Sequence, residues 1–301
     1  MHPMTLQETG ESTGSVSLAE LFEGDFTPSQ CPNGLQSLSD VACRGGWPGI
    51  ASALPEDAQV VVGEYMESVF EQSVPTLGGS GAIARRLCAS IARSLGQSAR
   101  NTVLARDVYG LEDGAPSDAD QRAVAAHLDY LARLYLVDEV PGWVPAARSP
   151  KRMRIKPKRY FADPSIAVAL LGLGSASLLQ DWQTFGLVFE NMCMRDLDVY
   201  ARALPDCAGH PVKYYRDDSD LEVDAIIDRA DGRWGAFEIK LSQDKVDEAA
   251  ATLLRLERKL CSDERSRTSA PSFLAVLTGM GEAAYRRPDG VYVIPVRALG
   301  V

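Results

Sequence analysis

The chain is predicted to be a mixed α/β protein, with a helical first half followed by an α/β domain built on a central mixed sheet. Three observations carry this. Up to about residue 140, apolar residues recur at helical spacing in segment after segment. Beyond residue 211, short alternating runs rich in Val, Ile, Tyr and Phe take over. Between them, "WQTFGLVFENMCMRDLDVYARAL" reads as one long helix. Helix, three strands, helix and two further strands is the order of an α/β sandwich rather than of a doubly wound nucleotide fold.

Residues 1–15 are polar and are expected to be poorly ordered. "SVSLAELFEG" is a short amphipathic helix opened by Ser17, and "GGWPG" is a turn by composition. "PEDAQVVVGEYMESVFEQSV" is a helix with Pro55 near its start and acidic residues in its first turn. "GSGAIARRLCASIARSLG" runs as a helix through Ile83, Leu87, Ile91 and Leu95. The glycines at 79 and 81 do not make a phosphate loop, because no Lys-Ser/Thr follows and no strand precedes. A short helix around "TVLARDVYG" comes next. A longer one then starts at Ser117, with Gln121 nearby, and carries Val124, Leu128, Leu131 and Leu134 as its apolar stripe. "LYLVDEV" shifts towards strand character. Three helices running into a strand and a basic hairpin-like segment fit a winged helix-turn-helix, and equally a generic three-helix bundle. In the second half, strands are expected at 212–216, 221–228, 234–241, 272–277 and 291–295, with a helix over "QDKVDEAAATLLRLERKLC".

At 301 residues the chain can bury one large core or two ordinary ones. Its six cysteines are scattered, with no Cys-x-x-Cys, which argues against a zinc site or a disulfide framework and for a reducing cytoplasm. No signal pattern opens the chain, and no apolar run approaches membrane-spanning length. The formal net charge of −10 speaks against a surface that binds nucleic acid throughout. One stretch differs. From Arg148 to Arg159 the chain reads "RSPKRMRIKPKR", seven basic residues and no acidic one. Arg148, Lys151, Arg152, Arg154, Lys156, Lys158 and Arg159 are either a solvated loop or a contact for a phosphate backbone.

The chemistry concentrates in "LEVDAIIDRADGRWGAFEIKLS". Side chains alternate along a strand, so Glu238 and Lys240 share a face. If "ADG" is a three-residue loop with Gly232 left-handed, Arg229 faces Arg233, Asp224 faces Glu238, and Glu222 faces Lys240. Opposed carboxylates destabilise a sheet unless something offsets them. A divalent cation such as Mg²⁺ or Mn²⁺ would do so, with Lys240 positioning a water or stabilising charge on a phosphate. The alternative is a solvated strand face with Lys240 paired to Glu222.

The order helix, strand, strand with Asp, strand with Glu-x-Lys, helix resembles the PD-(D/E)XK, or restriction-endonuclease-like, superfamily. More specifically, "SLAELF", "GGWPG", "KRYFADPSIAVALLG", "FGLVFENMCMRDL", "YYRDDSDLEVDAII" and "AFEIKLS" look like the C-terminal half of a prokaryotic family of AAA-type ATPases ending in a domain of unknown function. The resemblance implies Glu190 as the helix-borne acid, Asp224 and Glu238 as metal carboxylates together with Glu190, and Lys240 as the catalytic lysine. It makes Tyr215, Arg216 and Glu222 accessory. It implies residues 1–50 as a linker after an absent ATPase module, 51–147 as a winged-helix-like domain and 148–301 as the nuclease-like domain. The expected activity is Mg²⁺-dependent phosphodiester hydrolysis on DNA. The alternative is a catalytically silent module that binds nucleic acid, a partner ATPase or a second copy of the chain. No G-x-x-x-x-G-K-[ST] occurs, so ATP hydrolysis is not expected.

Overall fold

The computed structural model describes residues 2–31, 34–112, 114–145, 155–207, 209–262 and 268–301. In chain order, the first elements are β1 (Val16–Ser17), α1 (Leu18–Glu23), β2 (Ser29–Gln30), α2 (Leu35–Arg44), α3 (Pro55–Ser68) and α4 (Val74–Thr76). There follow α5 (Gly81–Arg93), α6 (Asn101–Tyr109), α7 (Asp118–Arg133), β3 (Val137–Val140), β4 (Lys158–Phe161), α8 (Pro164–Leu170), α9 (Ser175–Gln180) and α10 (Trp182–Ala203). The last are β5 (Val212–Arg216), β6 (Glu222–Asp228), β7 (Trp234–Lys240), α11 (Val246–Ser262), β8 (Phe273–Thr278), β9 (Ala283–Arg286), β10 (Tyr292–Pro295) and β11 (Leu299–Gly300). The chain is thus a mixed α/β protein, helical first and sheet-based second. Among the described residues no helix is long and apolar enough to cross a membrane.

Contacts divide the chain into two units, the first comprising Ser39–Glu139 and Lys156–Met192. Within it, α5, α6 and α7 pack on one another, and β3 pairs with β4. α5 and α7 start where their sequences offer a side-chain cap. Ser80 accepts from the Ile83 N–H, and its own N–H donates to His127 Nε2 at 2.8 Å. Ser117 forms a capping box with Asp120, the N3 residue, rather than with Gln121. The stripes Leu87, Cys88 and Ile91 on α5 and Val124, Leu128 and Leu131 on α7 are buried as the spacing requires.

"GGWPG" is a turn, and the structure shows what holds it. Gly45 has φ +73°, and a Cβ there would lie 2.2 Å from Asp163 Oδ1. Asp163 caps α8, accepting from the Ser165 N–H at 2.9 Å, while its Oδ2 accepts from the Gly46 N–H at 2.8 Å. Trp47 Nε1 donates to Ser165 Oγ at 2.9 Å.

The second unit comprises His2–Leu38, Val140–Ile155 and Cys193–Val301. Its sheet has seven strands in the order β2-β9-β10-β8-β7-β6-β5. The β7/β8 and β8/β10 pairs are parallel, whereas β5/β6, β6/β7, β9/β10 and β2/β9 are antiparallel. α11 crosses over between β7 and β8 and buries Val246, Ala250, Leu253 and Leu256 against Ile226, Ala236, Leu274 and Val276.

The N-terminal residues differ from expectation. Residues 2–15 are folded against the chain's C-terminal segment, with Thr5 and Leu6 buried. The Leu6 N–H donates to Asp196 Oδ2 at 3.0 Å, Ser12 Oγ donates to the Leu299 carbonyl at 2.6 Å, and β1 pairs in parallel with β11. Polarity misled here because the segment's polar groups find backbone and side-chain partners instead of water.

All six cysteines are free thiols, and burial pushes Cys43 and Cys88 up to about 12, which leaves them inert at neutral pH.

Candidate functional site

The register of β6 and β7 decides what the charged residues meet. Ala225 pairs with Phe237, Ile226 with Ala236, Ile227 with Gly235 and Asp228 with Trp234. The turn is the expected three-residue loop, with the Arg229 N–H bonded to the Arg233 carbonyl and Gly232 at φ +88°. Continued by one step, the ladder sets Asp224 opposite Glu238. At that level the carboxylate takes over from the ladder, as Asp224 Oδ2 accepts from the Ile239 N–H at 2.9 Å.

Asp224 and Glu238 are both buried, at 9% and 4% exposure, so their charges need a close partner. That partner is Lys240, whose Nζ lies 3.1 Å from Asp224 Oδ2 and 2.6 Å from Glu238 Oε2. Burial works to lower the Lys240 pKa, but the two carboxylates outweigh it and hold the ammonium above its ordinary value. The expected alternative pairing with Glu222 is not the one formed. Glu222 lies opposite Arg216 on β5, with Arg216 Nη1 3.5 Å from Glu222 Oε2.

Of the other accessory residues, Tyr215 is buried on the sheet core and donates to Asp217 Oδ2 at 3.0 Å. Burial first, and then the Asp217 hydrogen bond, push its hydroxyl up. Asp217 is a second acidic node. Burial works to raise it, yet Lys259 Nζ at 2.5 Å, Ser219 and Tyr215 together hold it well below the usual carboxylate range. Neither residue's described hydrogen bonds lead to Lys240.

Glu190 lies on α10, in the first unit. There it accepts from Tyr160 Oη at 2.6 Å and stands 3.7 Å from Lys158 Nζ. Beside it is a buried residue that the sequence reading missed. Asn191 accepts from the Phe161 N–H at 2.9 Å and donates to the Phe161 carbonyl at 2.8 Å, which fixes α10 to β4. An Asn with apolar neighbours inside a long helix was the available signal.

The basic run is only partly within the described residues. Arg148, Lys151, Arg152 and Arg154 lie outside them. Lys156 is exposed, and burial of its ammonium together with Arg100 and Arg159 lowers its pKa. Lys158 and Arg159 are corrections to the expected basic face, since both are buried. Lys158 pairs with Glu190, while Arg159 donates to Glu139 Oε1 at 2.9 Å and to the Ala99 carbonyl at 2.9 Å. They open β4, and strand burial overrides the charge of the segment.

The donor chemistry of Asp224 and Glu238 fits a hard divalent cation, since Mg²⁺ is commonly held by one or two carboxylates and keeps several waters. Among the described residues no three His, Cys, Asp or Glu side chains are grouped to hold a metal ion. A cation held by Asp224 and Glu238 would compete with Lys240 for the same oxygens.

Residues 185–299 match DUF4143. This is a domain of unknown function, and the matched span contains the complete β5–β8 sheet centre with Asp224, Glu238, Lys240 and Glu190. Residues 35–177 match a second domain of unknown function, DUF8612, which covers most of the helical unit. No curated protein and no solved structure matches the chain.

Proposed function

We propose that the DUF4143 part of this chain is a Mg²⁺-dependent nuclease-like domain of the PD-(D/E)XK type acting on DNA, coupled to a winged-helix-like DNA-binding region. The observation that carries the reading is the convergence of Asp224, Glu238 and Lys240 at one level of β6 and β7. Three helices followed by the paired strands β3 and β4 support the winged-helix part. DUF4143 is commonly found with AAA-type ATPases, which supports the family resemblance. Glu190 enters as a third acid through that resemblance alone.

Asp224 and Glu238 would hold the cation, which when bound supplies Lewis acidity at a phosphoryl oxygen and lowers the pKa of a bound water. The carboxylates bring two negative charges to a shielded position on two interior strands, so the site is complementary to a cation before it is complementary to DNA. Lys240 is an ammonium at neutral pH and has no lone pair with which to take a proton. Its role is therefore to donate hydrogen bonds, to the attacking water or to the charge that builds on the phosphate. Purified protein incubated with plasmid and linear DNA and Mg²⁺ or Mn²⁺ is expected to cut, and Glu238→Gln to abolish cutting while leaving the fold intact. Absence of cleavage, or cleavage indifferent to Glu238→Gln, removes the nuclease reading.

One observation favours the second reading, a catalytically silent assembly module. Leu54 at the start of α3 and Val60, Val61 and Tyr65 along it are exposed, at 66%, 61%, 46% and 41%. Between Arg44 and Arg85 the sequence has no Lys, Arg or His, but it does carry Glu56, Asp57, Glu64, Glu67 and Glu71. An apolar face on so acidic a segment, where Glu67 is the carboxylate paired to Arg85, disfavours nucleic acid and suits a cationic protein surface, supplied by a partner ATPase or by a second copy. On this reading light scattering shows concentration-dependent association, either of the protein alone or with a cognate ATPase, and Val61→Glu abolishes it. A mass that stays monomeric and fails to change with either partner counts against it.

A further inference from the structure

We propose that Thr278 is a positioning residue for Lys240, a second berth to which the ammonium moves when a divalent cation takes Asp224 and Glu238. This rests on the reading of those two carboxylates as cation ligands. Thr278 ends β8, and the parallel ladder between β7 and β8 pairs it directly with Lys240. Paired residues of a parallel ladder project from the same face, and the strands lie about 4.8 Å apart. Thr278 therefore shares the face of Glu238 and Lys240, on the side of β7 away from Asp224.

Its hydroxyl is the unusual feature. Thr278 is 0% exposed, and its Oγ1 has no hydrogen-bond partner among the described residues. The surrounding backbone is fixed, because the Gly279 N–H donates to the Lys240 carbonyl at 3.1 Å and the Met280 N–H to the Leu241 carbonyl at 3.0 Å. On the other side, β8 meets β10 at Pro295, whose side chain offers no polar atom. A valine would fill the same buried strand position without leaving a polar atom unsatisfied, so a threonine here costs stability in the cation-free protein.

Lys240 gives that cost a use. Its ammonium pairs with both carboxylates, and a cation binding to their oxygens must displace it. An ammonium driven from two carboxylates needs a new acceptor. Thr278 Oγ1 is an unused one at the same level of the next strand, and a lysine seated there still projects at the edge of the site.

The test needs no DNA. Thr278→Val and Thr278→Ser are compared with the parent protein by Mg²⁺ calorimetry and by thermal unfolding without metal. The valine variant is expected to melt at the same temperature or higher, because it removes an unsatisfied hydroxyl, and to bind Mg²⁺ about tenfold more weakly, or about 1.4 kcal/mol. Serine, which keeps the hydroxyl, is expected to restore the affinity. A residue that was merely structural would lower the melting temperature and leave affinity alone. Parent-like Mg²⁺ binding by the valine variant overturns the role of Thr278 while leaving the metal site standing. Lower stability of the cation-free valine variant shows that the hydroxyl already has a partner and also overturns it. If the parent protein binds no Mg²⁺ at all, the reading of Asp224 and Glu238 as ligands falls, and this inference falls with it.

Discussion

Lys240→Met is expected to destabilise the protein by about 3 kcal/mol at neutral pH, as removal of one member of a buried ionic cluster does. The reason is geometric. Lys240 Nζ touches both Asp224 and Glu238, whose side chains are only 13% and 6% exposed. Without it, two carboxylates face each other across β6 and β7 and lose the ammonium that pairs with both of them. The deficit should depend on pH in a defined way. In the parent protein the folded Lys240 pKa is raised, so its contribution is complete below the unfolded lysine value of about 10.4 and is lost as pH rises through the folded value. In the variant, the unneutralised carboxylates have raised folded pKa values instead, so stability falls as pH rises from about 4. The gap between the two proteins should be smallest in acid, widest from neutral to about pH 10, and narrower again above that. Mg²⁺ should raise the variant more than the parent, because no ammonium competes for the oxygens, with a gain of about 2.7 kcal/mol at a hundredfold excess over Kd. Urea unfolding across pH, with and without Mg²⁺, reads all of this. A variant as stable as the parent at every pH would mean that the lysine is a bystander to the carboxylates.

Much of this site was legible before any coordinates. Alternation put Glu238 and Lys240 on one face, and a left-handed Gly232 set the register that opposes Asp224 to Glu238. Both depend on local rules, the period of a strand and the geometry of a turn. The identity of the counter-charge was not legible. An opposed carboxylate pair asks for a cation, and sequence cannot tell whether an ion or the flexible end of a lysine two residues on will supply it. The basic run shows the same limit. Seven positive residues in twelve read as a solvated surface, yet Lys158 and Arg159 turn inwards because they begin β4 and find Glu190, Glu139 and a carbonyl there. β9, "AAYR", carries too little alternation to be read as a strand and is defined by its neighbours β2 and β10. The folding of residues 2–15 depends on partners almost a whole chain away, such as Asp196 and Leu299.

The hardest feature to foresee was the work done by "GGWPG" and "KRYFADPSIAVALLG" together, and Asp163→Ala is the substitution that exposes it. Asp163 is 0% exposed and lies 117 positions from Gly46 along the chain. One carboxylate oxygen accepts from the Ser165 N–H and Oγ, and the other from the Gly46 N–H. Alanine removes the α8 cap, worth about 1 kcal/mol. It also leaves the Gly46 N–H buried without its acceptor, for a further cost of about 1–3 kcal/mol. The sum, about 3 kcal/mol, should appear as a lower urea midpoint at unchanged slope. Asparagine keeps one acceptor oxygen and should recover part of it. The same geometry dictates the residue at 45, where φ is +73° and a Cβ would strike Asp163 Oδ1, so Gly45→Ala should damage the same latch from the other side. If Asp163→Ala instead left stability unchanged, the turn would be held by Trp47 and Gln59 alone, through their bonds to Ser165 and to the Cys43 carbonyl. The two sequence landmarks would then be independent features rather than the halves of one buried joint.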